Sequence, residues 1–544
     1  MPSPFAFLPP QDSPARKLAI LLLVLAPLLF GFLALYLGQD ANWDLRNYHY
    51  YNAYAFLNNR YDTDLLPAQT PSFYNPLMDV PFFWLASHAP ARVAGFALGF
   101  VQGLNFLLLF ALAHVTLVIP NARRKVFICA ALAALGLLGG GGIAQIGTTF
   151  GDNITSLGML LSAALVVRNL DHLRTQDAPK IFLKTLVFGI PAGLMVGLKL
   201  PSVLYAVGLC GGLLFTRASP WRNLALSFFF GLGVLLGAAL TFGPWAYFLQ
   251  THFGSPVFPY FNGFFGSPLA PPTSARDTAF APHSLSDIFL MPFLFAQSGF
   301  RVGEIAWRDW RIPLLYVALP LALAWRFFGR RKWTLQPRLT APTPSRYLLA
   351  SFALSYGVWL LMFSIYRYAV TLEMIAPLLL VCAIGLLPLG LRTRGIIAGL
   401  ALLIVVWSIQ PGNWHRRASW SKTFVTAEIP PVSDPAHAMI LMTGMEPYAH
   451  LIPLFPPEIS VTRIQSNFSS PEQDKGINTV IHVRIDAHRA AKGRFLLLIP
   501  AWQLGTSDGA LAFFHLKRAP KPCETVTDHL FDDNLLKLCD LEGL

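Results

Sequence analysis

Runs of about 20 apolar residues constrain this chain more than any other feature, because in lipid only a helix that satisfies its own backbone can carry such a run. Eleven stretches fit the pattern. They are Leu18–Leu37, Val93–Ile119, Val126–Gly142, Ile154–Val167, Ile181–Leu198, Ser202–Phe215, Leu224–Leu249, Ile312–Phe328, Tyr347–Ile365, Ala369–Leu391 and Gly395–Ile409. Only 13% of the 544 residues are charged against 54% hydrophobic, which leaves too little polar surface for a water-soluble fold and excludes disorder. The expected fold class is an all-α polytopic membrane protein with about 11 transmembrane helices. Leu18 follows Arg16 and Lys17 without a small-residue cleavage site, so the first run reads as an anchor rather than a removed signal.

The net charge of +13 would suggest nucleic acid in a soluble chain, but here it follows from basic cytoplasmic loops. With the N-terminus inside, the inner connections hold Arg123, Arg124, Lys125, Arg168, Arg174, Lys180, Lys184, Arg217 and Arg222. They continue with Arg330, Arg331, Lys332, Arg338, Arg346, Arg392 and Arg394. The outer connections are then 39–92, the cation-free turn 145–153, the long loop 250–311 and the tail after Ile409. Two tight outer turns each carry one cation, Lys199 and Arg367. The N-terminus is expected in the cytoplasm and the C-terminus in the periplasm, in a bacterial inner membrane.

The organisation expected is a membrane domain, 1–409, bearing large outer loops 39–92 and 250–311, and a small extracytoplasmic α/β or β domain, 410–544. Val80–Ala86 reads as an interfacial helix, and Ile288–Ala296 is too short to span. In the tail, Ala438–Met442, Val480–Val483 and Phe495–Ile499 read as strands among Pro, Gly and Asp. Cys523 and Cys539 can pair outside the cytoplasm, whereas Cys129, Cys210 and Cys382 lie in apolar runs and read as packing residues. His437, His450, His482, Asp486 and His488 show no ligand spacing and read as solvated surface. Gly139–Gly142 reads as a loose helix end.

The first outer loop carries the densest chemistry. Asp40 and Asp44 follow the first span within a few residues, and Tyr48, His49, Tyr50 and Tyr51 come next. A carboxylate at an apolar–aqueous boundary has the setting of a general base, and the aromatics can stack on sugar rings or lipid. The competing reading is an interfacial aromatic belt with solvated aspartates.

An acidic residue just after the first span, a Tyr/His-rich segment and Tyr74-Asn75-Pro76-Leu77 together resemble the first periplasmic loop of GT-C-type glycosyltransferases. Members include protein O-mannosyltransferases, lipid A aminoarabinose transferases and lipopolysaccharide-core transferases. Three further stretches are similar to the same class: Ala192–Pro201 (AGLMVGLKLP), Gly243–Asn262 (GPWAYFLQTHFGSPVFPYFN) and Tyr366–Pro377 (YRYAVTLEMIAP). Ser255 stands where Asn is commoner, and the tail lies outside the resemblance. The resemblance implies a membrane glycosyltransferase that moves a sugar from a polyprenyl-phosphate-linked donor to a glycan, lipid or protein acceptor.

On that resemblance Asp44 is the general base, with Asp40 its rival, because the tandem acidic pair of the family is replaced here by two aspartates four apart. His49, Tyr50, Tyr74 and Asn75 are candidate substrate contacts. Asp152 is the acidic residue of the next outer turn and would serve a divalent metal (Mg or Mn) if one is used. Lys199 and Arg367, the latter beside Tyr368, are candidate phosphate clamps, since a cation at the edge of an apolar span is costly unless it is paired. Snorkelling, or pairing with a carboxylate such as Glu373, competes with that role.

No Walker loop, dinucleotide turn or His-x-x-x-His pair occurs, and no basic stripe interleaved with aromatics suggests nucleic acid. Two other readings compete. A transporter or flippase would show paired broken helices, and none are found. An O-antigen ligase or polymerase would use Arg301, Arg308 and Arg311 of the second large outer loop.

Overall fold

The structure is a computed structural model that describes residues 8–9, 13–176, 179–273, 277–328, 337–473, 475–531 and 536–544. Arg330, Arg331 and Lys332 lie outside the described residues. The chain divides into two compact units that alternate along the sequence. One comprises Met1–Tyr36, Phe96–Gly243 and Asp277–Trp414, the other Leu37–Gly95, Pro244–Arg276 and His415–Leu544.

The first unit is helical. Among the described residues, eight helices are long and apolar enough to cross a membrane: Pro14–Leu37, Ala91–Thr116, Asp152–Thr175, Pro179–Leu198, Pro220–Phe253, Arg311–Phe328, Tyr366–Gly385 and Leu391–Ser408. The other three expected spans also form helices. Ala122–Leu137 has 16 residues, Leu200–Phe215 is similarly short, and Pro342–Met362 is diluted by Ser345, Arg346, Ser351 and Ser355. On Leu391–Ser408 the exposed side chains include Ile396, Leu400, Leu403, Ile404 and Trp407, which form one helical stripe of large apolar groups. A water-soluble fold would bury that stripe; facing lipid, it marks an integral membrane protein. After Glu373 the helix within Tyr366–Gly385 is apolar all round, and the segment lies almost wholly buried in the bundle.

Glycines set how closely the helices pack. Gly208 and Gly212, one turn apart, lie against Ser355 and Ser351, also one turn apart, and a Cβ at either glycine would overlap the facing hydroxyl. Gly189 and Gly193 meet the carbonyls of Phe230 and Val234 in the same way. Small residues at i and i+4 let backbones approach where no hydrophobic effect drives helices together.

The second unit is α/β. Among the described residues its sheet runs in the order Ala427–Glu428, Glu524–Asp528, Leu536–Gly543, Arg494–Pro500, Ala438–Met442, Ser460–Arg463, with Leu516–Arg518 also paired to Leu536–Gly543. The central pairs of Ala438–Met442 with its two neighbours are parallel, and the pairs made by Leu536–Gly543 are antiparallel. Val480–Val483 is not a strand: it lies in the helix Ile477–Ala490. The β-branched residues misled, and the deciding pattern is Ile477, Ile481 and Ile485, buried at four-residue spacing. Each buried isoleucine contributes about 1.5–3 kcal/mol, which outweighs the weak helix penalty of branching. Cys523 and Cys539 form a disulfide with Cα atoms 4.3 Å apart. Closing a loop of this size is worth about 3 kcal/mol.

Loop 39–92 belongs to this same unit. Tyr48, Tyr51 and Ala55 enter the core formed by Ile440, Met442, Val461 and Leu498. The backbone of Leu65 bonds Val461 and Arg463 at 2.8 and 2.9 Å, and Gln39–Asp40 pairs antiparallel with Arg416–Arg417. Trp245 Nε1 donates to Phe73 O at 2.9 Å. Leu37–Gly95 and Pro244–Arg276, both within the stretch 1–409 that the sequence groups together, belong to one unit with His415–Leu544.

Candidate functional site

The two aspartates that follow the first span have different surroundings. Asp40 is fully buried; its carboxylate accepts from Asn42 Nδ2 at 2.8 Å and from the Asn42 backbone at 3.2 Å. It stands opposite Arg416 in the two-stranded pairing. Burial lowers the pKa of Arg416, and the Asp40 charge works against that lowering. Asp40 therefore holds a backbone junction. Asp44 precedes a five-residue π-helical turn, Leu45–His49, and is 9% exposed. That turn returns Tyr48 over it, and the phenol donates to Asp44 Oδ2 at 3.1 Å. π-turns recur where a helix gives up regularity to aim side chains.

His49, at the end of this turn, has Nδ1 at 2.7 Å from Asp79 Oδ1, with both side chains buried. A carboxylate on Nδ1 assigns the ring proton to that nitrogen and leaves Nε2 as the basic one. Nε2 is buried with no hydrogen-bond partner among the described residues. Asp79 escaped the sequence reading although it closes the Tyr74–Asp79 segment, because its importance depends on a contact 30 residues away.

A second histidine also departs from expectation. His450 is not solvated but fully buried, with Nδ1 at 2.9 Å from Arg46 O and Nε2 at 2.7 Å from Asp528 Oδ2. Burial pushes the Asp528 carboxyl up, but His450, the Leu530 backbone N–H and Arg46 together outweigh it and hold the group below its usual range. Burial lowers the pKa of Arg46, whose guanidinium lies 4.8 Å from the Phe531 ring. These contacts pin the turn carrying Asp44 to the tail.

The aromatic candidates are mainly packing residues. Tyr50 is buried against Phe83, ring centroids 4.8 Å apart, with its hydroxyl 3.3 Å from Ser87 Oγ. Tyr74 is half-buried, its hydroxyl 2.8 Å from that of Tyr260. Asn75 caps the turn Pro76–Met78 by accepting from Leu77 N at 3.1 Å.

In the helical unit, Asp152, Lys199, Arg367 and Tyr368 come together. Gly151 takes a positive φ of 77° and turns the chain into the helix Asp152–Thr175, which places Asp152 in its first turn, where the helix dipole favours an acid. Lys199 ends the helix Pro179–Leu198; its Nζ lies 2.8 Å from Asp152 Oδ1 and 2.6 Å from Phe150 O, and 5.5 Å from the Tyr368 ring. Lys199 is thus paired rather than snorkelling. The Arg367 guanidinium lies 4.5 Å from the Phe150 ring and 5.3 Å from Trp414. Tyr205 donates to Tyr368 O at 2.5 Å and accepts from Thr371 N, which fixes the Arg367–Tyr368 turn. Tyr205 lies in an apolar run, Phe150 in a short outer turn and Trp414 in the polar start of the tail, and no local pattern marks any of them as an aromatic that faces this turn.

The donors here do not fit a divalent metal. The Lys199 ammonium already occupies one side of Asp152, and no group of three His, Cys, Asp or Glu side chains that could hold a metal occurs among the described residues.

Gly139–Gly142 is not a loose helix end but a tight cradle. Gly141 N and Gly142 N donate to the Glu373 carboxylate at 3.2 and 2.7 Å, Gly140 N donates to Asp309 at 3.0 Å, and Tyr366 OH donates to Glu373 Oε2 at 2.5 Å. A Cβ at Gly139 would overlap Glu373 Oε1, so the run must be glycine. Fully buried Arg311 pairs with Asp309 at 2.9 Å and donates to the carbonyls of Leu135, Gly136 and Glu373. Glu373 therefore engages this buried network. Arg301 is likewise held, by Phe280 O at 3.1 Å and Asp287 Oδ2 at 3.3 Å. Arg308 lies 5.9 Å from the Trp407 ring.

No family profile matches the chain, and no curated protein does. Among solved structures it is similar to the oligosaccharyltransferase of Archaeoglobus fulgidus, crystallised in its apo form. The identity is 12% and the TM-score 0.45, over 92% of this chain and 71% of that one. A likeness of that depth carries no functional argument.

Proposed function

We propose that this protein is a membrane glycosyltransferase of the GT-C type, which transfers a sugar from a polyprenyl-phosphate-linked donor to an acceptor hydroxyl on the outer face of a bacterial inner membrane. The observation that carries the reading is the convergence of Lys199 and Arg367 on the Phe150–Asp152 turn, at the ends of apolar helices. Cations are costly there, and a lipid that brings its own phosphate to that depth gives them a task. Arg367 can meet a phosphate bidentately, and Lys199 adds a point charge.

Transfer needs two things of the protein. The acceptor oxygen attacks the anomeric carbon, the bond from that carbon to the phosphate oxygen breaks, and the departing phosphate gathers negative charge, which fixed cations stabilise. The acceptor proton passes to a carboxylate, a role assigned to Asp44. His49, oriented by Asp79, is the alternative proton acceptor on the same turn. Direct attack would invert the anomeric centre. The ligase reading loses support because Arg301 and Arg311 are committed to structural partners.

Native mass spectrometry of detergent-solubilised protein with added polyprenyl-phosphate hexose tests the clamp. Arg367→Gln, and Lys199→Gln combined with Asp152→Asn to avoid a stranded carboxylate, are each expected to lose donor occupancy by roughly tenfold, the scale of one charge-assisted hydrogen bond. Occupancy equal to wild type in both folded variants would contradict it.

A further inference from the structure

One end of the helical unit holds a cavity of about 690 Å³ that none of the residues assigned above lines. Six arginines line it: Arg174, Arg217, Arg326, Arg338, Arg346 and Arg394. They come from six places in the sequence: the last turn of Asp152–Thr175, the turn after Leu200–Phe215, the last turn of Arg311–Phe328, the segment before Pro342, the start of Pro342–Met362 and the first turn of Leu391–Ser408. Arg346 is within electrostatic reach of Arg217, Arg326 and Arg174.

An excess of arginine at one end of a bundle is ordinary topology, but three features go further. Among the described residues no Asp or Glu lines the cavity, and the contact of Asp171 with Arg174 is a 3.5 Å pair on an exposed carboxylate. Arg394 sits in the first turn of its helix, where the dipole opposes a cation, so helix stability does not explain it. The Nε atoms of Arg174 and Arg394 are buried without a hydrogen-bond partner among the described residues. The terminal nitrogens of Arg394 donate to Gly385 O and Pro337 O and hold the side chain at the cavity, and a shared cavity of like charges, with these two Nε donors unspent and helix N-termini adding positive potential, is built for an anion. Its remaining walls include Leu319, Leu323 and Leu349, which free phosphate could not use.

We infer that this cavity binds the phosphate-bearing headgroup of an anionic lipid, the arginines taking the phosphate and the leucines the start of the acyl or isoprenoid chain. The site is separate from the Lys199–Arg367 cluster, and the inference stands whether or not the protein transfers sugar.

The test titrates the full-length protein in detergent with phosphatidylglycerol and, separately, phosphatidylcholine, and counts bound lipid by native mass spectrometry. Phosphatidylglycerol should be retained preferentially. Its retention should fall by about fivefold for each arginine removed in Arg217→Gln, Arg326→Gln and Arg346→Gln, and recover in part in Arg346→Lys. Arg217 and Arg326 are exposed, so their variants keep the test open if Arg346→Gln fails to fold. Equal retention of the two lipids, or unchanged retention in the exposed-arginine variants, would overturn the proposal. Displacement of the lipid by millimolar inorganic phosphate would overturn the lipid assignment.

Discussion

Asp44→Asn is expected to lower turnover by about 10²–10⁴-fold, the usual contribution of a positioned general base, with donor occupancy unchanged. The substitution is conservative in space: the amide oxygen can still accept from Tyr48 OH, which lies 3.1 Å from the carboxylate. What it removes is basicity. Asp40→Asn should behave differently, because Asp40 is fully buried and bonded twice by Asn42 beside Arg416, so its loss should appear first as reduced folded yield. The measurement is kcat on detergent-solubilised enzyme together with size-exclusion and thermal profiles for both variants. Full turnover in folded Asp44→Asn would exclude Asp44 as the base. His49, whose Nδ1 is held by Asp79, would then be the residue to replace.

The second large effect is on stability. Arg311→Met should destabilise the helical unit by about 3–5 kcal/mol, because removing one partner of a buried ion pair strands the other. Asp309 is fully buried, and the carbonyls of Leu135, Gly136 and Glu373 would lose their donor as well. Arg301→Met is the control. Its pair with Asp287 is 3.3 Å long and partly exposed, so about 0–1 kcal/mol is expected. Thermal unfolding followed by size-exclusion reads both. A small shift for Arg311→Met, comparable to that of Arg301→Met, would show that the Asp309–Glu373 network does not hold the bundle.

What could be read in the sequence divides along physical lines. Membrane helices are local: the length and hydropathy of a run such as Leu18–Leu37 decide it without reference to the rest of the chain. The cost of charge in lipid is nearly as local, which is why Lys199, Arg367 and Asp152 could be singled out before their contacts were known. Pairings over long separations could not. Asp309–Arg311 with Glu373, His450 with Asp528 and Arg46, and the Phe150 and Trp414 rings at Arg367 depend on the fold that brings them together. Tyr48 and Tyr51 were read for sugar stacking, yet both enter the core under the sheet, because loop 39–92 and the tail share one hydrophobic interior. Val480–Val483 differs in kind: its β-branched residues favour a strand, but the four-residue spacing of Ile477, Ile481 and Ile485 is just as local a signal and prevails.

The central claim is sugar transfer from a lipid-phosphate donor, and it is tested most directly by incubating the purified protein with polyprenyl-phosphate hexose carrying a labelled sugar and a panel of glycan, lipid and peptide acceptors. The account predicts labelled acceptor and sugar-free polyprenyl phosphate appearing together with wild type, and neither with Asp44→Asn. A donor that binds at the Lys199–Arg367 cluster yet stays intact with every acceptor would contradict it.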